Sequence, residues 1–246
     1  MPGSALLLLA FWIGPEDCQV CHEDMPKRTA VKAHTACASC HSGGEKHAES
    51  ADLKDIQKPA DKTCGGCHKT QRAGHAHGTV GCRSCHTVHS ATPGAAKAPV
   101  NDRCATCHTD VMAQFLKPHT HKLQQGAATC LDCHNPHQQR TQTALVSKCY
   151  GCHGDKRGPF AFEHAPVRTD GCQACHEPHG SVNPRMLTRQ NVQTQCLECH
   201  SGLGANRSVA GGVPPAFHDL RTARYRSCTA CHSKVHGSHT NRTLLR

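Results

Sequence analysis

The sequence predicts a mostly irregular backbone with short α-helices and negligible β structure, folded around a core not built from side chains. Three observations lead there. Aromatic residues make up only 3% of the 246 residues, and long apolar side chains at helix or strand period are scarce. The 21 Gly and 14 Pro break up what regular structure remains. In place of core residues stand 20 cysteines and 23 histidines.

Twenty cysteines would ordinarily indicate a disulfide scaffold, but their spacing rejects that reading. All fall in C-x-x-C-H units, with none left over. The units are Cys18, Cys21 and His22; Cys37, Cys40 and His41; Cys64, Cys67 and His68; Cys82, Cys85 and His86; and Cys104, Cys107 and His108. They continue with Cys130, Cys133 and His134; Cys149, Cys152 and His153; Cys172, Cys175 and His176; Cys196, Cys199 and His200; and Cys228, Cys231 and His232. A zinc ribbon has no need of a histidine at the next position every time. C-x-x-C-H reads as a c-type haem attachment site: two thioethers to the haem vinyl groups and a proximal imidazole on the iron. The fold class is therefore multihaem cytochrome c. Ten haem c groups, one per about 25 residues, would stack as the core. Such a chain should not fold without its cofactor.

Taken in order, the chain opens with residues 1–17, an apolar leader. ALLLLAFWI (5–13) is of signal-peptide type, either the remnant of a truncated signal or an unusually short leader, and is too short to span a bilayer as a helix. Covalent haem attachment outside the bacterial cytoplasm makes such an export signal expected. Residues 18–246 then repeat one pattern: a motif, a spacer, a free histidine, a second motif, and a trailing histidine. The repeats begin 46, 40, 45 and 47 residues apart, a period that signals stacked arrays. Five tandem dihaem units result, at about 18–63, 64–103, 104–148, 149–195 and 196–246. The connectors, such as SATPGAAKAPVND (90–102) and SGLGANRSVAGGVPPAF (201–217), read as loops. HTDVMAQFLK (108–117) is the best longer helix, and no stretch alternates as a strand should.

The thirteen histidines outside the motifs fill ten slots. They are His34, His47, His75 or His77, His89, His119 or His121, His137, His164, His179, His218, and His236 or His239. A second axial ligand makes haem iron six-coordinate and tunes its potential. His179 follows His176 too closely to skirt the edge of that haem, so it should cap a different iron, as should His89, His137 and His236. Each unit is then expected to be cross-tied by reciprocal ligation. Four methionines, Met1, Met25, Met112 and Met186, lie outside these slots. Ten bis-His, low-spin, low-potential haems are the expectation.

The formal charge of +10 would by itself suggest nucleic acid or an acidic surface. Each ferric bis-His haem with two propionates adds about −1 and each ferrous one about −2. The oxidised holoprotein is then near neutral, and Lys and Arg read as propionate partners rather than nucleic-acid contacts.

CYGCHGDKRGPFAFEHAPVRTDGCQACHEPHGSVNPRML (149–187) and RSCTACHSKVHGSH (226–239) resemble the periplasmic decahaem cytochromes of porin–cytochrome conduits, the MtrA/DmsE/PioA group. The resemblance covers about residues 18–246. It implies an elongated rod of ten bis-His haems, described in that family as two pentahaem lobes and here dividing near 115–125. It also implies sheathing in an outer-membrane β-barrel porin, and partnership with a periplasmic or inner-membrane cytochrome and an outer-surface multihaem cytochrome. Extracellular electron transfer, as metal reduction or iron oxidation, from a periplasmic and outer-membrane location follows. By the same resemblance His137, His164, His179 and His236 sit at distal-ligand positions, and His121 fits better than His119. The spacer from His34 to Cys37 is shorter than the family's. The alternative is a soluble periplasmic shuttle or subunit feeding a terminal reductase of the DMSO-type molybdoenzyme kind. An enzyme reading is disfavoured, because multihaem reductases need an iron with an open position, and here all ten motifs end in His with enough further histidines to close them.

Overall fold

In a computed structural model of the chain, the described residues are 18–25, 34, 36–69, 77–90, 92, 96–138, 141–200, 218, 220 and 222–246. The apolar leader, His75 and the 201–217 connector lie outside them. The chain divides into two compact units: Met1–Arg103 with Pro136–Gln139, and Cys104–Asn135 with Arg140–Arg246.

The recurring local structure is one turn of helix at each motif. In all ten, the motif histidine's amide donates to the carbonyl of the first cysteine, at 2.8–3.0 Å. Residues i, i+3 and i+4 share a face of a helical turn. The C-x-x-C-H spacing thus delivers two thiols and an imidazole to one side of the backbone. Most helices are extensions of these turns.

In the first unit, α1 (Gly44–Ser50) follows the second motif and ends at Ala51, whose φ of 55° stops the helix. α2 (Asp61–Cys67) and α3 (Cys82–Cys85) carry the third and fourth motifs. Asp61 Oδ1 accepts from the Cys82 amide at 3.0 Å, so a residue of α2 caps α3 and holds the two motifs together.

α4 (Val100–Ala105) leads into the fifth motif and α5 (Thr109–Gln114) follows it. The helix expected at 108–117 forms over that shorter core, with Phe115 still helical in its backbone angles. α6 (Cys130–Cys133) starts from a Thr129/Asp132 capping box. α7 (Gln142–Cys152) starts from Thr141, whose hydroxyl accepts from the Ala144 amide at 3.2 Å. α8 (Ala165–Thr169) has proline in its first turn. α9 (Val192–Leu197) is capped by Asn191, which accepts from Thr194 at 2.8 Å.

Among the described residues there is no strand. Antiparallel pairing is confined to isolated bridges: His86 with Ala96, His119 with Ser181, Phe162 with Ser238, and His176 with Leu187. No helix there is long and apolar enough to cross a membrane.

Packing bears out the shortage of core residues. Leu123 is the one buried hydrophobic residue among those described, and no large side chain is fully buried. The chain is a scaffold whose apolar interior must come from bound groups.

Candidate haem-binding site

Histidines from distant parts of the chain meet in pairs. His22 faces His47 with ring centroids 6.3 Å apart, His34 faces His68 at 6.0 Å, and His41 faces His89 at 5.9 Å. His86 faces His137 at 5.6 Å, a pair that belongs to the first unit. In the second unit His121 faces His153 at 6.3 Å, His134 faces His179 at 5.9 Å, and His164 faces His200 at 6.2 Å. His176 faces His236 at 6.3 Å and His218 faces His232 at 6.2 Å. Each pair joins one motif histidine to one histidine from outside the motifs.

The spacing fits a metal between the rings. An imidazole nitrogen binds a first-row metal at about 2.0 Å, which puts the centroids of two trans imidazoles about 6 Å apart. All nine separations, 5.6–6.3 Å, lie close to that value. His22–His47, His86–His137, His164–His200 and His176–His236 are near-parallel, at 12–18°.

The other ring nitrogen is tied down in several of these histidines. Nδ1 of His41 donates to Gln57 O at 3.0 Å, of His47 to Asp52 O at 2.9 Å, and of His121 to Pro178 O at 2.8 Å. His176 donates to Arg185 O at 2.9 Å and His232 to Thr243 O at 2.6 Å. A proton held on Nδ1 leaves Nε2 as the ligating nitrogen and fixes the ring plane. Burial lowers the pKa of His164 and His236, which favours the neutral imidazole.

The slots with two candidates sort out by geometry where they are described. His121, not His119, faces a motif histidine; His119 spends its backbone on a bridge to Ser181. His236 faces His176, while His239 packs on Phe160 at 5.2 Å. His75 is outside the described residues.

The pairing has a rule. His34, His121 and His164, the free histidines inside their units, face the first motif of the following unit. His89, His137, His179 and His236, the trailing histidines, face the second motif of the preceding unit. Among the described residues, reciprocal pairs run between the first and second, third and fourth, and fourth and fifth repeats: His34–His68 with His41–His89, His121–His153 with His134–His179, and His164–His200 with His176–His236. Among the described pairs, those that stay within one repeat involve the outermost motifs, His22 with His47 and His218 with His232.

The thiols follow chain order. Within units, Cys64 meets Cys82, Cys104 meets Cys130, Cys149 meets Cys172, and Cys196 meets Cys228. Between units, Cys40 lies by Cys64 and Cys67, Cys133 by Cys149 and Cys152, and Cys175 by Cys199. Burial, then the neighbouring thiol, pushes Cys130 and Cys149 up to about 11 and Cys196 up to about 12. Within the first compact unit the second to fourth attachment sites, and within the second the fifth to tenth, are thus adjacent to their neighbours in sequence.

Sequence reasoning passed over four residues that organise the site: Gly180, Ser181, Gly237 and Ser238. Ser181 and Ser238 are among the few buried polar residues described, at 4% and 3% exposure. The available signal was the repetition of His-Gly-Ser at 179–181 and 236–238, each after a second motif.

Repeated thiol pairs beside paired imidazoles, a set that would hold covalently attached haems, define a c-type cytochrome that carries several haems and transfers electrons. The comparisons agree. Residues 164–205 match the family described as doubled CXXCH motif, and residues 74–154 match cytochrome c3. Multiheme cytochrome MtrA of Shewanella baltica (strain OS185) is 34% identical over 94% of this chain and 81% of its own length. Cytochrome c3 of Nitratidesulfovibrio vulgaris is 34% identical over 32% of this chain and 56% of its own. The chain belongs to the MtrA family of multihaem cytochromes. It binds haem c and is an electron carrier rather than an enzyme.

Proposed function

We propose that the chain holds ten haem c groups, one at each C-x-x-C-H motif, each closed by two histidines. The motif histidines are the proximal ligands. The distal ligands are His34, His47, His89, His121, His137, His164, His179, His218 and His236, with His75 supplying the tenth. Bound haem supplies a reversible one-electron iron couple. The protein's part is to hold these groups in sequence order, close both axial positions, and fix each imidazole plane through Nδ1. The observation that carries this reading is the set of nine facing histidine pairs at 5.6–6.3 Å.

Such an arrangement relays electrons and leaves no iron open to a substrate. The similarity to MtrA over nearly the whole chain supports a place in a porin–cytochrome conduit, with the chain periplasmic and inserted into an outer-membrane β-barrel. Its partners there are cytochromes on either side of the membrane. Purification of the tagged holoprotein from native outer membranes in mild detergent tests this. A β-barrel protein should co-purify, and the pair in liposomes should carry electrons from an enclosed viologen to external ferric citrate. A holoprotein found wholly in the soluble periplasm without a barrel contradicts the conduit.

A further inference from the structure

Two chain crossings in the second unit are built alike. At the first, Ser181 and His119 exchange backbone hydrogen bonds at 2.9 and 3.2 Å; at the second, Ser238 and Phe162 exchange them at 2.8 and 2.8 Å. Each bridge joins the residue two before an inner distal histidine, His121 or His164, to the serine two after a trailing one, His179 or His236. The residue just before the trailing histidine lies against the inner imidazole: Pro178 O accepts from His121 at 2.8 Å, and the Val235 backbone is beside His164.

The intervening glycine is required twice over. Gly180 has φ 152° and Gly237 has φ 141°, in a region that disfavours side chains. A Cβ at Gly180 would collide with Gln114 O, and one at Gly237 with the Phe160 ring. The serine hydroxyls brace the next turn. Ser181 Oγ donates to Leu187 O at 2.7 Å and accepts from Asn183 N at 3.0 Å; Ser238 Oγ accepts from Thr240 and Asn241 amides at 3.2 and 3.1 Å.

We infer that each His-Gly-Ser crossing is a clamp that positions two distal histidines at once, and so sets the axial geometry of two consecutive haems. The clamp at 179–181 governs the irons of His134 and His153, the sixth and seventh. The clamp at 236–238 governs those of His176 and His200, the eighth and ninth. Gly180, Ser181, Gly237 and Ser238 are positioning residues that act through their neighbours, and the inference rests on the bis-His reading given above.

The test compares Gly180→Ala, Gly237→Ala and their double variant as purified holoproteins. Electron paramagnetic resonance and spectropotentiometry count the altered haems. Each single variant should shift the low-spin signals and potentials of two haems in ten, different ones in each case, and the double variant four. Ser181→Ala, which keeps the backbone bridge, should give a smaller shift of the same two haems as Gly180→Ala, with Ser181→Thr restoring the native signal; it also serves if the glycine variants fail to mature. A change in no haem, in one alone, or in all ten alike overturns the clamp. A high-spin signal of a whole haem in the unsubstituted protein would instead overturn the bis-His reading beneath it.

Discussion

His134 and His179 stand face to face with ring centroids 5.9 Å apart, although two complete attachment motifs separate them in the chain. Phe115 packs on His179 at 5.4 Å and helps hold it there. In the proposed ligation His179 therefore serves the haem of Cys130 and Cys133, and not that of its near neighbour His176. His179→Ala should turn one haem in ten high-spin, while His179→Met should keep it low-spin and raise its potential. A double variant with His134→Met should affect that same single iron. Spectropotentiometry showing two separate irons affected would refute the pairing.

The angles between paired rings carry a spectroscopic consequence. The relative orientation of two axial imidazole planes sets the splitting of the iron d orbitals. Four pairs lie at 12–18°, whereas His34–His68 and His121–His153 lie at 57° and 62°. The oxidised protein should show both rhombic low-spin signals and large-gmax signals. Variants at His34 or His121 should remove intensity from the second class, while His47 variants remove it from the first.

The ten helical turns were legible from spacing, since C-x-x-C-H fixes its own geometry over five residues. The repeat also picks out the nine histidines outside the motifs that face motif histidines among the described residues. Their pairing was not legible. It depends on chain crossings between parts of the sequence far apart, such as Ser181 against His119, and neither periodicity nor hydropathy registers a single antiparallel bridge. The expectation that each unit ties itself together failed for the same reason: the fold-back that carries His89 to His41 is a tertiary event. The short helices, and the lack of strands among the described residues, followed from composition, because nothing apolar recurs long enough to build longer elements.

Asp61 joins two motifs by capping α3 from α2, accepting from the Cys82 amide. Asp61→Ala should destabilise the holoprotein by about 1 kcal/mol, the usual cost of a lost cap, with Asp61→Asn retaining most of it. Chemical denaturation followed at the haem Soret band measures the difference. Equal loss in both variants would mean that the side chain acts through its charge.

Haem is expected to be the core in the energetic sense, given the single buried hydrophobic residue described. Cys130→Ala with Cys133→Ala should reduce the mass by one haem and increase protease cleavage around α6 and α7. A chain produced without haem attachment should show little ordered structure by far-ultraviolet circular dichroism. A native-like spectrum from that haem-free chain would contradict the scaffold reading.

The central claim is that every motif carries a haem with both axial positions closed by histidine. Electron paramagnetic resonance of the fully oxidised holoprotein, with haem counted by pyridine haemochrome and intact mass, tests it most directly. The account predicts ten haems per chain and only low-spin ferric signals. Fewer than ten haems in the mature protein, or a high-spin ferric signal amounting to one haem or more per chain, would contradict it.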